Sequence, residues 1–204
     1  MKYLVLDAMG VLYTAHDDVA ELLHPFIVEK GGLNDLGQII NIYIETSLGK
    51  MSSAEFWKKV GLDPMVEDEY LFHHTINEGL IEFFEGMRSP GVKVWCLSND
   101  VSEWSCKLRR KFGIERYFEG FVTSGDVGLR KPDSAIYKLM IEKLKCKPGD
   151  ITFVDDNVRN LDTAAEIGIN TVLFNTLAGT ENMNGHNAVK NFQELKLYIT
   201  GHWH

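Results

Sequence analysis

Short apolar runs alternate along this chain with stretches in which apolar residues recur every three or four positions. The runs that predict strands are residues 3–6, 92–97, 120–123, 151–154 and 171–174. Each run is mostly apolar on both faces, as in strands that helices cover on both sides of a sheet. Strands that alternate with helices indicate an α/β fold with a central parallel sheet.

The helical stretches predict helices over residues 76–87, 101–112, 133–144, 158–167 and about 189–199. Three of them follow typical helix N-terminal signals, namely Ser98-Asn99-Asp100, Pro132 and Asp155-Asp156-Asn157. Residues 178–187 are rich in asparagine and glycine and predict a loop before the last helix.

Residues 15–77 interrupt the alternation, because they contain apolar residues at helical spacing and no convincing strand. Breaks at Gly31-Gly32 and Asp63-Pro64 divide this region into short helices. We therefore predict a helical insert (residues 15–77) in an α/β core formed by residues 1–14 and 78–204.

Composition and charge narrow the classes of partner. The 204 residues carry a net charge of −8, which gives no basic footprint for nucleic acid or an anionic membrane. Three cysteines without a Cys-x-x-Cys pair fit a reducing compartment, and no apolar stretch is long enough for a signal peptide or a membrane span. We expect a cytoplasmic protein with a small-molecule partner; the oligomeric state is not predicted.

Polar residues follow the predicted strands at their carboxyl ends. Asp7 follows the first strand, Ser98-Asn99-Asp100 the second and Asp155-Asp156 the fourth, while Lys131 lies between the third strand and its helix. In an open parallel sheet these ends meet at one edge, where ligands bind. Carboxylates together with a lysine predict a site for a hard cation such as Mg²⁺ and for an oxyanion.

Four segments in this order resemble the motifs of the haloacid dehalogenase-like hydrolase superfamily. They are Asp7-Ala8-Met9-Gly10-Val11-Leu12, Leu97-Ser98-Asn99-Asp100, Gly128-Leu129-Arg130-Lys131-Pro132-Asp133 and Phe153-Val154-Asp155-Asp156-Asn157. The resemblance covers nearly the whole chain and is closest to sugar phosphatases, including an α-glucose-1-phosphatase branch. It implies a Rossmann-like three-layer sandwich, with the helical insert in the place of a small α-helical cap that selects substrate.

The resemblance also implies a chemistry for the first and fourth motifs. Asp7 would be the nucleophile and would form an aspartyl-phosphate. A Mg²⁺ ion would be held by Asp7, the backbone carbonyl oxygen of Met9 and the pair Asp155 and Asp156, and the motif does not say which of the pair binds directly. The ion would reduce the repulsion between the carboxylate and the phosphate.

The second and third motifs would hold the substrate's phosphate. The resemblance implies that Ser98 and the backbone N–H of Asn99 bind phosphate oxygens, and that Lys131 neutralises the transferring phosphoryl group. Lys50, between Gly49 and Met51, is predicted to be exposed and is a modest candidate for a substrate charge. His73-His74 is interpreted as a surface pair on a helix, because no histidine has zinc-ligand spacing.

Met9 departs from the family's phosphatase pattern. Phosphatases of the superfamily usually have a second aspartate here, as general acid and base, and such a group contributes about 10²–10⁴ in rate. The 2-haloacid dehalogenases also lack this aspartate, but they work without metal and have serine in place of the Asp155/Asp156 carboxylates.

Four interpretations follow from this departure. The preferred one is a magnesium-dependent phosphomonoester hydrolase for a small sugar phosphate or related metabolite, and a 2-haloacid dehalogenase is the alternative. A non-catalytic binding module is supported only by Met9. A phosphonoacetaldehyde hydrolase is suggested only by Lys50.

Overall fold

A computed structural model describes residues 2–87, 91–174 and 185–202. The strands are β1 (Lys2–Leu6), β2 (Val92–Ser98), β3 (Gly120–Thr123), β4 (Ile151–Asp155), β5 (Asn170–Phe174) and β6 (Asn187–Val189). The helices are α1 (His24–Glu29), α2 (Leu36–Thr46), α3 (Ser53–Lys59), α4 (Glu67–Phe72), α5 (Leu80–Gly86), α6 (Ser102–Lys111), α7 (Ser124–Val127), α8 (Ser134–Leu144), α9 (Val158–Glu166) and α10 (Phe192–His202). None of these helices is long and apolar enough to span a lipid bilayer.

The strands form one parallel sheet in the order β3-β2-β1-β4-β5-β6. The chain passes outward from β1 to β2 and β3, and then returns to the other side of β1 as β4. The strand order therefore reverses between β1 and β4, which is where a doubly wound sheet forms its ligand crevice. The predicted α/β fold with a parallel sheet is confirmed.

Each central strand buries both of its faces. In β1, Leu4 and Leu6 belong to the apolar core on one side of the sheet, whereas Val5 belongs to the core on the other side. Successive side chains of a strand point to opposite faces, so helices must cover both. This explains why the strands read as continuous apolar runs in the sequence.

Several elements differ from the sequence prediction. Residue 187, assigned to a loop, begins strand β6, which pairs with β5; residues 178–184 of that predicted loop lie outside the described residues. Helix α5 begins at Leu80 and not at residue 76, because Ile76 forms an antiparallel bridge with Tyr13 and Gly79 has a φ of 80°. The short helix α7 was not predicted at all.

The helical insert contains α1 to α4 and no strand. Its Phe56, Trp57 and Tyr70 are fully buried, and the rings of Phe56 and Tyr70 each lie 5.1 Å from the ring of Trp104 on α6. Glu67 accepts hydrogen bonds from the indole N–H groups of Trp57 and Trp104, at 3.1 and 2.8 Å. The insert is therefore packed on the core through aromatic rings, and its extent as a separate domain stays a prediction.

The two chain segments that connect the insert to the core lie side by side. The Thr14 N–H donates to the Thr75 carbonyl at 3.0 Å, and the two hydroxyl groups are 2.8 Å apart. The Asn77 amide donates to three carbonyl oxygens of the first segment, including that of Val11 at 2.8 Å. These bonds hold the entry and exit of the insert together.

A buried group of polar side chains lies where these segments enter the insert. Asp18 is 2.9 Å from His74 and accepts a hydrogen bond from the Tyr70 hydroxyl at 2.5 Å. Asp100 lies close enough to Asp18 and His74 for their charges to shift its pKa. We call Asp18, Tyr70, His74 and Asp100 the hinge cluster. The interpretation of His73-His74 as a surface pair is wrong for His74, which is buried against Asp18.

Candidate active site

The carboxyl ends of the central strands bring the predicted site residues together. Asp7 directly follows β1, and its N–H donates to the Val154 carbonyl of the neighbouring strand β4 at 2.9 Å. Ser98 ends β2 and Asp155 ends β4, so both flank Asp7 at the switch point of the sheet. The position of these residues follows from strand order alone.

Lys131 is the positive charge at the centre of this edge. Its ammonium group lies 2.6 Å from Asp7 Oδ1 and 2.7 Å from Asp155 Oδ2, and its side chain is 1% exposed. The side-chain amide of Asn99 fixes the Lys131 backbone, because it donates to the carbonyl and accepts from the N–H, both at 2.8 Å. Asn99 thereby ties the second motif to the third through its side chain.

Asp155 is fully buried, and both of its oxygens accept hydrogen bonds. Besides Lys131, the Asn160 amide donates to both oxygens at 3.0 and 3.1 Å, and the Asn157 N–H donates to Oδ1 at 2.8 Å. Asn157 also caps α9, so neither carboxylate of the pair is used as the helix cap. These hydrogen bonds hold the Asp155 side chain in place beside Lys131.

Asp156 faces the pocket and contacts a residue of the insert. Its Oδ2 lies 2.7 Å from Nδ1 of His16. Gly10, at a φ of +71°, lets the backbone pass close to this pair, since a Cβ there would collide with the Asp156 carboxylate and approach His16 within 2.9 Å. Oxygens of Asp7, Asp155 and Asp156 lie within 4.8 Å of one another, close enough to share one metal ion.

Burial gives these carboxylates unusual electrostatics. Burial raises the pKa of Asp7 well above its ordinary value, Asp155 and Asp156 add to this effect, and Lys131 opposes it. Burial likewise raises the pKa of Asp156. Burial lowers the pKa of Lys131, but its two carboxylate neighbours more than offset this, so the net shift is upward. Lys131 contacts Asp7 and Asp155, whereas Asp156 contacts His16. Three carboxylates whose oxygens lie within 4.8 Å of one another favour a further cation at this position.

The second motif provides an unused donor. The Ser98 hydroxyl is buried and has no hydrogen-bond partner among the described residues. A buried hydroxyl without a partner costs free energy unless a ligand satisfies it. The phenol of Tyr43, on helix α2 of the insert, donates to the Asn99 carbonyl at 3.1 Å and so brings the insert over this motif.

These residues enclose a pocket of about 240 Å³ between the sheet edge and the helical insert. Met9 lines it next to Asp7, and Lys50 does not: its ammonium group is exposed, 3.8 Å from Glu45. Lys50 therefore lies outside the site. The predicted residues that lie together at the site are Asp7, Met9, Ser98, Asn99, Lys131, Asp155 and Asp156.

Sequence reasoning missed several residues that the structure places at the site. Asn160 and His16 contact the acidic pair, and Tyr43 and Arg130 line the pocket on the side of the insert. Asn160 lies one turn into the helix that follows Asp155, a spacing that could have been noticed. His16 and Tyr43 carried no local signal, because their partners are distant in the sequence.

Comparison with known proteins gives relatives of several activities. The chain is 26% identical over 193 residues to a D-ribitol-5-phosphate phosphatase of Bacteroides thetaiotaomicron, covering 84% of this chain and 90% of that protein. It is 30% identical over 94 residues to (S)-2-haloacid dehalogenase 4A of Burkholderia cepacia, covering 46% and 41%. The chain spans about a fifth of the length of the bifunctional epoxide hydrolases of pig and rat that it also matches.

A solved structure shares the architecture. The magnesium complex of a haloacid dehalogenase family enzyme from Bacteroides thetaiotaomicron has a TM-score of 0.70 at 25% identity and covers 85% of this chain and 92% of its own. Residues 1–168 match the haloacid dehalogenase-like hydrolase family itself. With the four motifs at adjacent strand ends, the match shows that the chain belongs to the haloacid dehalogenase-like hydrolases.

Proposed function

We propose that this protein is a magnesium-dependent phosphomonoester hydrolase for a small phosphorylated metabolite, acting through an aspartyl-phosphate at Asp7. The observation that carries the proposal is the convergence of Asp7, Asp155 and Asp156 around Lys131. The similarity to a sugar-alcohol phosphatase and to a magnesium complex supports it. The pocket of about 240 Å³ suits a small substrate.

The first chemical step belongs to Asp7. A carboxylate oxygen of Asp7 attacks phosphorus, a new P–O bond forms, and the bond from phosphorus to the ester oxygen breaks. Lys131, 2.6 Å from Asp7, holds the nucleophile in place and balances charge on the transferring group. Water then hydrolyses the acyl phosphate, which releases phosphate and restores the Asp7 carboxylate.

The acidic pair divides into two roles. Both oxygens of Asp155 already accept hydrogen bonds, from Lys131 and from the Asn160 amide. We therefore propose that Asp155 orients Lys131. Asp7, Asp156 and the Met9 carbonyl oxygen would hold a bound Mg²⁺, whose charge offsets the repulsion between nucleophile and phosphate. The all-oxygen donor set and the raised pKa values of the two carboxylates fit such an ion.

The phosphoryl oxygens require donors opposite Asp7. The unpartnered Ser98 hydroxyl and the Asn99 N–H are the donors we assign to them. Each donor aimed at the developing charge is worth about 10²–10³ in rate in a preorganised site. Met9 occupies the position at which phosphatases of the superfamily usually have the second aspartate, so no carboxyl group at that position can protonate the leaving oxygen.

A haloacid dehalogenase remains the second candidate because of the similarity to such an enzyme. That chemistry uses no metal ion, so an anionic haloacid would have to approach a group of three carboxylates within 4.8 Å of one another without a cation to offset their charge. The repulsion between these charges favours the phosphatase.

A substrate panel separates the candidates. We expect phosphate release from p-nitrophenyl phosphate and small sugar phosphates with Mg²⁺ present, and none after chelation with EDTA. Chloride release from 2-chloropropionate that is indifferent to EDTA would establish the dehalogenase instead. If neither wild type nor the Asp7→Asn variant turned over any of these compounds, the result would favour a non-catalytic binding module.

A further inference from the structure

Arg130 carries a second positive charge to the pocket, next to Lys131 in the sequence. Because Asn99 fixes the Lys131 backbone, Arg130 is held at the rim between the core and the helical insert. It lines the pocket, and its guanidinium carbon lies 5.6 Å from the ring centre of Tyr43. One of its N–H groups donates to the Ser47 hydroxyl at the end of α2.

The insert is seated closely against this rim. Gly49 has a φ of +70°, and a Cβ at this position would collide with the carbonyl oxygen of Gly125 on α7. The turn after Ser47 therefore lies directly on the loop that leads to Arg130. The guanidinium is enclosed on one side and faces the pocket on the other.

Arg130 differs from Lys131 in its charged neighbours among the described residues. Lys131 contacts two carboxylates, whereas no carboxylate in the described ranges 2–87, 91–174 and 185–202 lies within 4.0 Å of Arg130. The acidic residues on the insert side of the pocket are engaged elsewhere. Asp17 accepts the N–H of Ala20 at 3.1 Å, and Asp18 belongs to the hinge cluster.

A guanidinium offers five N–H donors in a planar fork that matches a carboxylate or a phosphate. Arg130 uses one of them on a neutral hydroxyl, so most of its donors are available to a ligand. The phosphoryl group in transfer already has Lys131 and Ser98. The charge of Arg130 therefore serves a different part of the substrate.

We propose that Arg130 binds a second anionic group, a carboxylate or another phosphate, so that the enzyme prefers phosphomonoesters that carry one. This inference rests on the proposed phosphatase function and assigns its substrate class. The pocket of about 240 Å³ limits the distance between the two anionic groups to a few bonds.

A simpler role for Arg130 is structural: its hydrogen bond to Ser47, here called the clasp, links the core to the insert. The two roles separate by substitution, because Ser47→Ala removes the clasp and keeps the guanidinium. Arg130→Gln removes the charge, and Arg130→Lys keeps a charge without the fork.

The test uses three substrates with one three-carbon skeleton: 3-hydroxypropyl phosphate, 3-phosphooxypropanoate and propane-1,3-diyl bisphosphate. They differ only in a terminal hydroxyl, carboxylate or phosphate. We expect wild-type kcat/KM to be at least about tenfold higher for one or both anionic compounds, from charge-assisted hydrogen bonds. Arg130→Gln should remove that preference through KM, because it lowers kcat/KM for the anionic compounds more than for the hydroxyl compound. Ser47→Ala should keep the preference, and Arg130→Lys should keep part of it.

Calorimetry of the same compounds with the Asp7→Asn variant measures binding without turnover. Tighter binding of an anionic compound, lost in Asp7→Asn/Arg130→Gln, would support the subsite even if the phosphatase assignment failed. Equal losses for all three substrates in Arg130→Gln, the same phenotype in Ser47→Ala, or no preference in wild type would overturn the proposal while phosphatase activity persists. The compound that gains most tells whether the second group is a carboxylate or a phosphate.

Discussion

Two groups of buried carboxylates lie on either side of the pocket, and they are stabilised in opposite ways. At the sheet edge, Asp7 and Asp155 share the ammonium group of Lys131, and the neighbouring Asp156 contacts His16. In the hinge cluster, Asp18 has two partners of its own, His74 and Tyr70. We assign a cation and the substrate to the first group, whereas the second lies where the chain enters and leaves the insert.

The difference shows that burial alone does not identify a catalytic carboxylate. Asp7 and Asp18 are both buried and both line the pocket. Burial raises the pKa of Asp7, and the neighbouring carboxylates of Asp155 and Asp156 raise it further, so the folded protein carries a cost there that function can explain. Removing a charge from the first group should therefore harm activity, whereas removing a partner from the second should harm stability.

The largest expected effect is that of Asp7→Asn. The amide keeps the shape of the side chain but cannot act as the nucleophile, so turnover should fall by more than about 1,000-fold. Because the substitution removes one of three repelling carboxylates, the melting temperature should stay equal or rise. Steady-state kinetics and thermal unfolding measure the two effects.

Asp133→Asn is the matched control for Asp7→Asn. Asp133 caps α8 near Lys131, and asparagine retains the acceptor for the Ala135 N–H. This variant should keep wild-type turnover. An Asp7→Asn enzyme that retains most of its rate and unfolds normally would refute the aspartyl-phosphate mechanism.

His74→Leu tests the other side of the comparison. It leaves Asp18 buried without its histidine, and breaking such a buried pair costs about 3–5 kcal/mol of unfolding free energy. Denaturant unfolding measures the loss, and turnover per folded molecule should change far less than in Asp7→Asn.

His73→Leu is the control for this change, because the neighbouring His73 is exposed. It should alter the unfolding free energy by no more than about 0.5 kcal/mol, as is usual for surface substitutions. Equal losses in the two variants would mean that the Asp18–His74 contact adds nothing beyond local packing.

The sheet-edge group could be predicted from the sequence, whereas the hinge cluster could not. The sheet and its site edge were predictable, because apolar runs define the central strands and Asp7, Ser98 and Asp155 directly follow them. Strand β6 was missed because three residues at the sheet edge give too short a pattern. The burial of His74 depends on Asp18 at the opposite end of the insert, and local spacing contains no such information.

Side-chain partners within the site show the same limit. Lys131 could be placed at the edge from its motif, but its fixation by Asn99 requires the loops to be seen together. His16 contacts Asp156, which lies 140 residues further along the chain, so the sequence near either residue does not reveal the pair. Arg130 belongs to the third motif, but only the folded arrangement shows that no carboxylate of the described part of the chain pairs with it.

Met9→Asp adds a fourth carboxylate to the sheet-edge group. If no aspartate protonates the leaving group in wild type, its rate should fall steeply as the leaving-group pKa rises, so aryl phosphates should outpace alkyl ones. Met9→Asp should raise turnover of alkyl phosphates by up to about 100-fold, and that of p-nitrophenyl phosphate less. The added charge should also lower the melting temperature.

Met9→Asn controls for size and polarity without a transferable proton. It should give no gain on alkyl phosphates. Equal wild-type rates for aryl and alkyl substrates, together with no gain in Met9→Asp, would mean that another residue supplies the proton.

The smallest effect belongs to Asp100, the member of the hinge cluster that follows strand β2. Its Oδ1 accepts the Val101 N–H at 2.7 Å, while Oδ2 is buried without a partner among the described residues. Burial, with a contribution from Asp18, raises its pKa to about 7, against the lowering effects of the Val101 N–H, His74 and Arg109. The unfolded chain loses this proton near the ordinary value of 3.8.

Between those two pKa values the folded state binds a proton that the unfolded state has lost, so Asp100 lowers stability progressively as pH rises from about 4 to about 7. Asparagine does not titrate, and Asp100→Asn should therefore gain stability over wild type across this window, by about 2 kcal/mol between pH 5 and pH 7 at no more than about 1.4 kcal/mol per unit. The gain should be constant above pH 8 and vanish near pH 4. Urea unfolding of both proteins at each pH measures it, with Asp133→Asn as the control for losing one negative charge. A difference that is independent of pH would show that Asp100 is ionised throughout and that the hinge cluster is compensated in full.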